Sequence, residues 1–268
     1  MGEKETRLHQ LPSTGLLPGI YPHIVRRDPS QTRTGQDNLG MGYTEHGEHF
    51  MLKPAGPVAI AEFIGARISD ACGIPACQPN IVTIETINGA KNIFGSRIES
   101  GLHKFDQTNI TQWNHILSNC LNPNAFSAML SIDLILGNDD RHFNNWLVQT
   151  VPDQAGNENF RLRAVDFSRS WPVKHPAQHP QYHFSENTWA ATKYWDVLGV
   201  NFDLQTFYET CAKISSIPST WIRHSVLGQL IGVFLTQAQA DEYCDWWKIN
   251  VQSQIIETIH SIEYGARP

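Results

Sequence analysis

The stretch "GNDDRHFNNWLV", Gly137 to Val148, places Asp140 and Asn145 five residues apart between two apolar runs. After a spacing that fits a pair of strands comes "AVDFS", with Asp166 at the end of an apolar strand. A carboxylate, a carboxamide and a second carboxylate brought together make a hard-oxygen site. Mg²⁺ takes such ligands, one or two from protein and the rest from phosphate and water. Phosphoryl transfer uses this set: one Asp orients the attacking hydroxyl, and an Asn and an Asp hold the metal. The competing reading is a polar turn whose Asp and Asn side chains cap a helix and satisfy backbone groups. Taken alone, the loop favours the turn.

A second set of residues lies earlier. Lys53 ends the apolar strand "HFMLK", and Glu62 lies in the helix that follows. A Lys on a strand and a Glu on the next helix can pair, and in kinases that pair aims the ammonium at the α- and β-phosphates. Lys and Glu are otherwise mostly solvated surface charges. Gly40, Gly42 and Gly47 precede Lys53, where a loop covering phosphates belongs, although glycines also serve ordinary turns. The order carries more than any one member: Gly-rich loop, strand Lys, helix Glu, Asp-x4-Asn, strand-end Asp-Phe.

The elements that must position these residues can be read from periodicity. Residues 21–54 read as strand, polar Gly-rich loop and strand, stopped by Pro54. Val58 to Ile74 carries Ile60, Phe63, Ile64 and Ile68 at helical spacing, with Gly73 at a C-terminal cap. "QPNIVTIETING" and "KNIFGSRIES" read as strands joined at Asn88-Gly89. "NPNAFSAMLSIDLILG" reads as a helix ending at Gly137. "NNWLVQTV" and "NFRLRAVDF" read as an antiparallel pair joined by the turn formers of "VPDQAGNEN". Asn145 opens the first of these strands and Asp166 closes the second, so pairing sets both on one edge. Helices then run to the end, the last capped by Thr236 and apolar at Tyr243, Trp246, Trp247, Val251, Ile255, Ile259 and Ile262. A strand-rich first half and a helix-rich second half predict two lobes with a cleft between them.

With this ordered set in hand, the chain resembles the HipA-like kinases, a bacterial toxin-kinase family with a protein-kinase-like fold related to phosphatidylinositol 3/4-kinases. "FMLKP", "AEFIGARISDACGIPACQPNIVTI", "NIFGSRIESG", "GNDDRHFNNWLV" and "RAVDFSRSW" carry the resemblance, over roughly residues 40–172. "DRHxxN" also matches the lipid-kinase form of the catalytic loop. The resemblance implies an α+β, bilobal protein-kinase-like fold: an arm at 1–20, a small strand-rich N-lobe at 21–105 and a larger helical C-lobe at 106–268. It implies an ATP- and Mg²⁺-dependent serine/threonine protein kinase of toxin type. Asp140 would be catalytic, with Arg141 and His142 beside it in the loop. Lys53 would contact nucleotide phosphates, Glu62 would position Lys53, and Ile98 to Gly101, with Glu99 and Gly101, would form the hinge beside adenine. Asn145 and Asp166 would bind Mg²⁺. Arg141 would hold the loop or contact phosphate, and His142 would fix loop conformation through hydrogen bonds or act as a base. Asp166-Phe167 is followed by Ser168 where the kinase switch has Gly, which puts movement of that segment in question. Full-length members also carry an additional N-terminal subdomain, and a separate partner protein, or an antitoxin, is implied. Self-phosphorylation in the Gly-rich loop would fall on Ser30, Thr32, Thr34 or Thr44.

Composition sets the outer bounds. The chain has 268 residues, 41% hydrophobic and 17% charged, which excludes disorder over most of its length. A formal net charge of −6 without a long basic run argues against direct nucleic-acid binding. Five cysteines without a CxxC pair fit reduced thiols in the cytoplasm. No apolar run is long enough to span a membrane, and "MGEKETRLHQ" lacks a signal-peptide core, although it fits the loose myristoylation pattern. His175, His179 and His183 are spaced by four, but Pro176 and Pro180 oppose the helix that would align them as metal ligands. Two rivals stand beside a protein kinase: a kinase of lipids or small molecules, and a nucleotide-binding pseudokinase or interaction module.

Overall fold

The computed structural model describes residues 21–28, 37–104, 109–172, 192, 195 and 197–264. The arm at 1–20, Ser30, Thr32, Thr34 and the histidines 175, 179 and 183 lie outside the described residues.

Five strands in the N-terminal part close into a barrel: β1 (His23–Asp28), β2 (Gly40–Thr44), β3 (His49–Lys53), β4 (Pro79–Thr86) and β5 (Gly89–Ile98), in the order β1-β2-β3-β5-β4. Closure comes from a short parallel pairing of β1 with β4, His23 with Thr83 and Ile24 with Ile84. The Asn88-Gly89 turn forms as expected, with Thr86 paired to Gly89 across it. Ile24, Phe50, Leu52, Val82, Ile84 and Ile93 fill the interior.

The Gly-rich stretch corrects the sequence reading. It is not a loop throughout, because Gly40–Thr44 is strand β2, paired to β3 with Gly42 opposite Phe50. A Cβ on Gly42 would come within 2.9 Å of the Leu52 side chain and 3.0 Å of Ile24. Glycine serves there to let a narrow barrel pack its core, not to free a loop. Thr44 is only 7% exposed and accepts a hydrogen bond from the Glu48 N–H, which removes it as an accessible phosphate acceptor in this conformation.

Helix α1 (Pro57–Ala71) starts on Pro57, whose fixed φ and missing N–H suit the first helical turn. It is buried on most sides, including Phe63, Ile64 and Ile68, and packs against β4 and the helical part. That part opens with β6 (Leu102–His103), α2 (Ile110–Ser118) and α3 (Ala125–Leu136). Helix α3 is apolar nearly all round, so it is enclosed, and Gly137 caps it in the left-handed conformation. Strands β7 (Trp146–Pro152) and β8 (Glu158–Ala164) complete a three-stranded sheet in the order β6-β7-β8.

Two longer helices follow, α4 (Leu204–Ser215) and α5 (Gln237–Tyr264). They are separated by short helical turns between Ser219 and Gln229. Thr236 caps α5 reciprocally with Gln239: the Thr236 N–H donates to Gln239 Oε1 at 2.8 Å, and the Gln239 N–H donates to Thr236 Oγ1 at 3.3 Å. The apolar side of α5 meets Trp171, which stacks on Trp246 with ring centres 4.6 Å apart. Among the described residues no helix is long and apolar enough to cross a membrane.

Candidate active site

Lys53 is the last residue of β3, and Glu62 lies in the second turn of α1. A strand followed at once by a helix across its end brings the two together. Lys53 Nζ donates to Glu62 Oε1 at 2.5 Å and also to Asp166 Oδ1 at 2.5 Å, a residue 113 positions further on. Lys53 and Glu62 are each 3% exposed, and Asp166 is 32% exposed. Burial by itself would push the Lys53 ammonium toward neutrality, but the two carboxylates outweigh it and raise its pKa. Burial would likewise favour a neutral Asp166, and Lys53, Ser168 and Arg141 together hold its carboxyl well below the usual range. Glu62 lies deepest; burial pushes it above the usual carboxylate value, against the pull of Lys53 and of the Phe167 N–H that donates to it. One ammonium thus sits between two carboxylates in a nearly dry setting.

Asp166 itself adopts φ 65°, a left-handed conformation that Asp tolerates better than most residues. Such backbone positions persist where the surroundings over-determine them. Phe167 supplies part of that restraint. A Cβ on Gly65 of α1 would lie 2.3 Å from the Phe167 ring, so the ring rests directly on the helix that carries Glu62. The Arg141 guanidinium covers the same ring at 4.8 Å.

The Asp140 loop is tied to this strand end by backbone and side chain. Trp146 pairs with Ala164, and the Val165 N–H donates to the Asn145 carbonyl at 3.0 Å. Asn145 and Asp166 therefore lie on the same edge of the hairpin, as the antiparallel reading required. Asn145 Nδ2 donates to the Asp140 carbonyl at 2.7 Å. That leaves Oδ1 as the atom of Asn145 able to accept a cation.

Arg141 is buried, and its guanidinium is engaged with the protein: Nε and Nη2 meet the two Asp133 oxygens at 2.8 and 3.1 Å, and Nη1 donates to the Asn145 and Val165 carbonyls. Of the two roles considered for Arg141, the geometry supports holding the loop. Asp133 also accepts from Asn138 Nδ2 at 2.8 Å. Asp133 was missed in the sequence, although a lone carboxylate inside the apolar helix "AMLSIDLIL" signals a buried partner.

For His142, Nδ1 is buried and has no hydrogen-bond partner among the described residues, so this nitrogen does not fix the loop. Burial lowers its pKa, against the pull of Asp140 and Asp166, which places the imidazole within electrostatic reach of both. Glu99 pairs through its side chain with Arg163 at 2.8 Å. The Glu99 carbonyl accepts from the Leu102 N–H and the Gly101 carbonyl from the Thr150 N–H, so residues 99–101 form a tight turn joining β5 to β6.

Beside that turn lies an apolar cluster that sequence reasoning did not find. Cys77, Leu147 and Val165 form it, with Met51, Ile98 and Leu102 packed against them. Its members come from β3, β5, β6, β7 and the segments next to α1 and β8, so no local pattern announces it.

The donor set can hold a divalent cation. Asp166 is ionised, partly exposed and bound to Lys53 through Oδ1, and the Asn145 carboxamide oxygen is a second hard ligand. One carboxylate and one carboxamide suit Mg²⁺ shared with phosphate oxygens and water.

No protein-family model matches the chain, and no match is found among curated proteins. Solved structures do resemble it. The proinflammatory kinase CtkA of Helicobacter pylori is 15% identical, over 90% of this chain and 97% of that one, with a TM-score of 0.53. HipA of Shewanella oneidensis, from a complex with HipB and operator DNA, is 12% identical over 91% of this chain and 74% of that one, with a TM-score of 0.44. WaaP, in complex with acyl carrier protein, is 13% identical over 81% and 87%, with a TM-score of 0.35. At such identities the likeness to CtkA shows a shared kinase-type fold: mixed α and β, strand-rich toward the N-terminus and helical toward the C-terminus.

Proposed function

We propose that this chain is an ATP- and Mg²⁺-dependent phosphotransferase, a serine/threonine protein kinase of the HipA-like toxin type. The observation that carries the reading is Lys53 held between Glu62 and Asp166, with Asn145 anchored on the same hairpin edge as Asp166. In this reading residues 21–105 form the N-lobe and 106–268 the C-lobe, and the nucleotide lies between them. The purine occupies the apolar cluster around Met51, Cys77, Leu147 and Val165, with the turn at Ile98–Gly101 along its edge.

Lys53, kept protonated by its two carboxylates, holds the α- and β-phosphates, and Glu62 fixes its direction. Asn145 and Asp166 hold Mg²⁺, which neutralises charge on the transferring phosphoryl group when bound. Asp140 orients the acceptor hydroxyl and receives its proton. The hydroxyl oxygen bonds to the γ-phosphorus as the bond to the β–γ bridging oxygen breaks, and the nucleoside diphosphate leaves. Arg141 holds Asp140 and Asn145 in place through Asp133 and the two backbone carbonyls. An antitoxin-like or subdomain-like partner belongs to this reading. The cytoplasm suits it, since all five cysteines are free thiols.

The "DRHxxN" loop supports a second reading, a kinase acting on a lipid or small molecule. One experiment separates the two. Wild-type protein and Asp140→Asn are incubated with γ-labelled ATP, Mg²⁺ and a whole-cell lysate. Label on serine or threonine of a protein, present only with the wild type, supports the first reading. Label confined to the lipid or small-molecule fraction selects the second. Equal transfer with and without Asp140 refutes both.

A further inference from the structure

Ser168 occupies the position that glycine holds in the Asp-Phe-Gly segment of protein kinases. The residue with a left-handed backbone in this turn is Asp166, and among the described residues it is the only non-glycine with positive φ. Nothing in the backbone therefore demands a glycine at 168, and a side chain is free to act there. That side chain is buried, with the residue 4% exposed, and its hydroxyl donates to Asp166 Oδ1 at 2.7 Å. The Ser168 N–H lies 3.4 Å from the same oxygen. Lys53 approaches Oδ1 as well, so among the described residues every donor to this carboxylate sits on one oxygen.

We propose that Ser168 is a positioning residue for the cation ligand Asp166, fixing Oδ1 so that Oδ2 is the oxygen presented to a divalent cation. The proposal deepens the reading of this site as a Mg²⁺-nucleotide site and rests on it.

The physical argument concerns what changes when nucleotide binds. Lys53 is shared by Glu62, Asp166 and, in the bound state, phosphate oxygens. A phosphate that draws the ammonium weakens its restraint on Asp166 at the moment the carboxylate must hold metal. Ser168 is attached two residues away and has no such competing anion, so its hydrogen bond persists. A hydrogen bond to a ligating carboxylate fixes its rotamer before the metal arrives, and loss of such a partner commonly costs 10–100-fold in metal affinity. A glycine at 168 would leave Lys53 as the main side-chain restraint on Oδ1.

The test uses the full chain as wild type, Ser168→Ala, Ser168→Gly and Ser168→Thr, each first compared by thermal melting. Binding of a non-hydrolysable ATP analogue is titrated at a series of Mg²⁺ concentrations, and Mn²⁺ bound to the same complex is counted by electron paramagnetic resonance. Ser168→Ala and Ser168→Gly should raise the half-saturating Mg²⁺ concentration by about tenfold or more. Nucleotide affinity at saturating Mg²⁺ should stay nearly unchanged, and Ser168→Thr should restore the metal dependence. Two variants without the hydroxyl keep the test open if one of them folds poorly. Variants that titrate with Mg²⁺ as the wild type does overturn the proposal, and so does an equal loss of nucleotide affinity with and without Mg²⁺. Wild-type binding that ignores Mg²⁺ overturns the site reading instead, and this proposal with it.

Discussion

Replacing Lys53 with methionine keeps the reach of the side chain and removes its charge, which isolates what the ammonium does between its two carboxylates. Glu62 is 3% exposed and cannot recover its hydration without moving α1. Removing one partner of a buried ion pair costs about 3–5 kcal/mol, because the remaining charge stays desolvated. For a chain of this size that corresponds to a fall in melting temperature of roughly 6–20 °C. The pH dependence gives the sharper signature. In the wild type Lys53 has a raised pKa, so its contribution is complete below the ordinary lysine value and is lost only as pH rises through the higher folded value. Asp166 has a lowered pKa, so its contribution is present above the ordinary aspartate value and is lost as pH falls through the folded value. In Lys53→Met both carboxyls lose their counter-ion, and Glu62, already raised by burial, rises further. The native state then binds a proton more readily than the unfolded chain, and its stability increases as pH falls. Thermal melts of variant and wild type in matched buffers between about pH 8 and about pH 5 should show the deficit shrinking toward acid. A deficit below about 1 kcal/mol at neutral pH, or one that grows as pH falls, would refute the reasoning.

Asp140→Asn should abolish most phosphoryl transfer while leaving the melting temperature near that of the wild type, since Asn keeps the size of the side chain and the loop is tied down by Arg141 and by Asn145 through the Asp140 backbone carbonyl; transfer at the wild-type rate removes Asp140 from the mechanism. Gly65→Ala should destabilise by about 1–3 kcal/mol through overpacking, because its Cβ would meet the Phe167 ring at 2.3 Å. It should also weaken binding of Mg²⁺-nucleotide by displacing the Asp166 segment, and a normal melt with normal affinity would show that the ring shifts without consequence. Burial pushes the Cys72 and Cys77 thiols up to about 12 and Cys211 up to about 11, so these three should react with Ellman's reagent at mildly alkaline pH only as fast as the protein opens. Rapid labelling of any of the three in native protein would contradict the described packing.

Much of the site was legible because its geometry is local. A strand ending in Lys53 and a helix starting four residues later leave Glu62 few places to go. A hairpin whose first strand follows Asn145 and whose second precedes Asp166 must set the two side by side, since antiparallel pairing returns the chain to its starting edge. Gly137 and Thr236 announced helix ends through capping chemistry that depends on a few neighbouring residues. Other features answer to partners far along the chain. Strand β2 looked like a loop because its Gly42 is demanded by Leu52 and Ile24 inside a closed barrel, and closure depends on β1 meeting β4. The Arg141 side chain reaches the Val165 carbonyl beyond the whole hairpin, and Gly65 is explained only by a phenylalanine about a hundred residues away. The apolar cluster at Met51, Cys77, Leu147 and Val165 draws single residues from separate elements, so no periodicity reveals it. The physical reason is one of range. Helix capping and turn hydrogen bonds act over a few residues, whereas exclusion of water from a shared core is settled by whatever segments happen to meet there. The amino-acid sequence by itself therefore determined the order of the chemical groups and the hairpin edge that carries two of them. Only the tertiary structure decided that Lys53 meets Asp166, and that the ammonium works in a dry setting between two carboxylates.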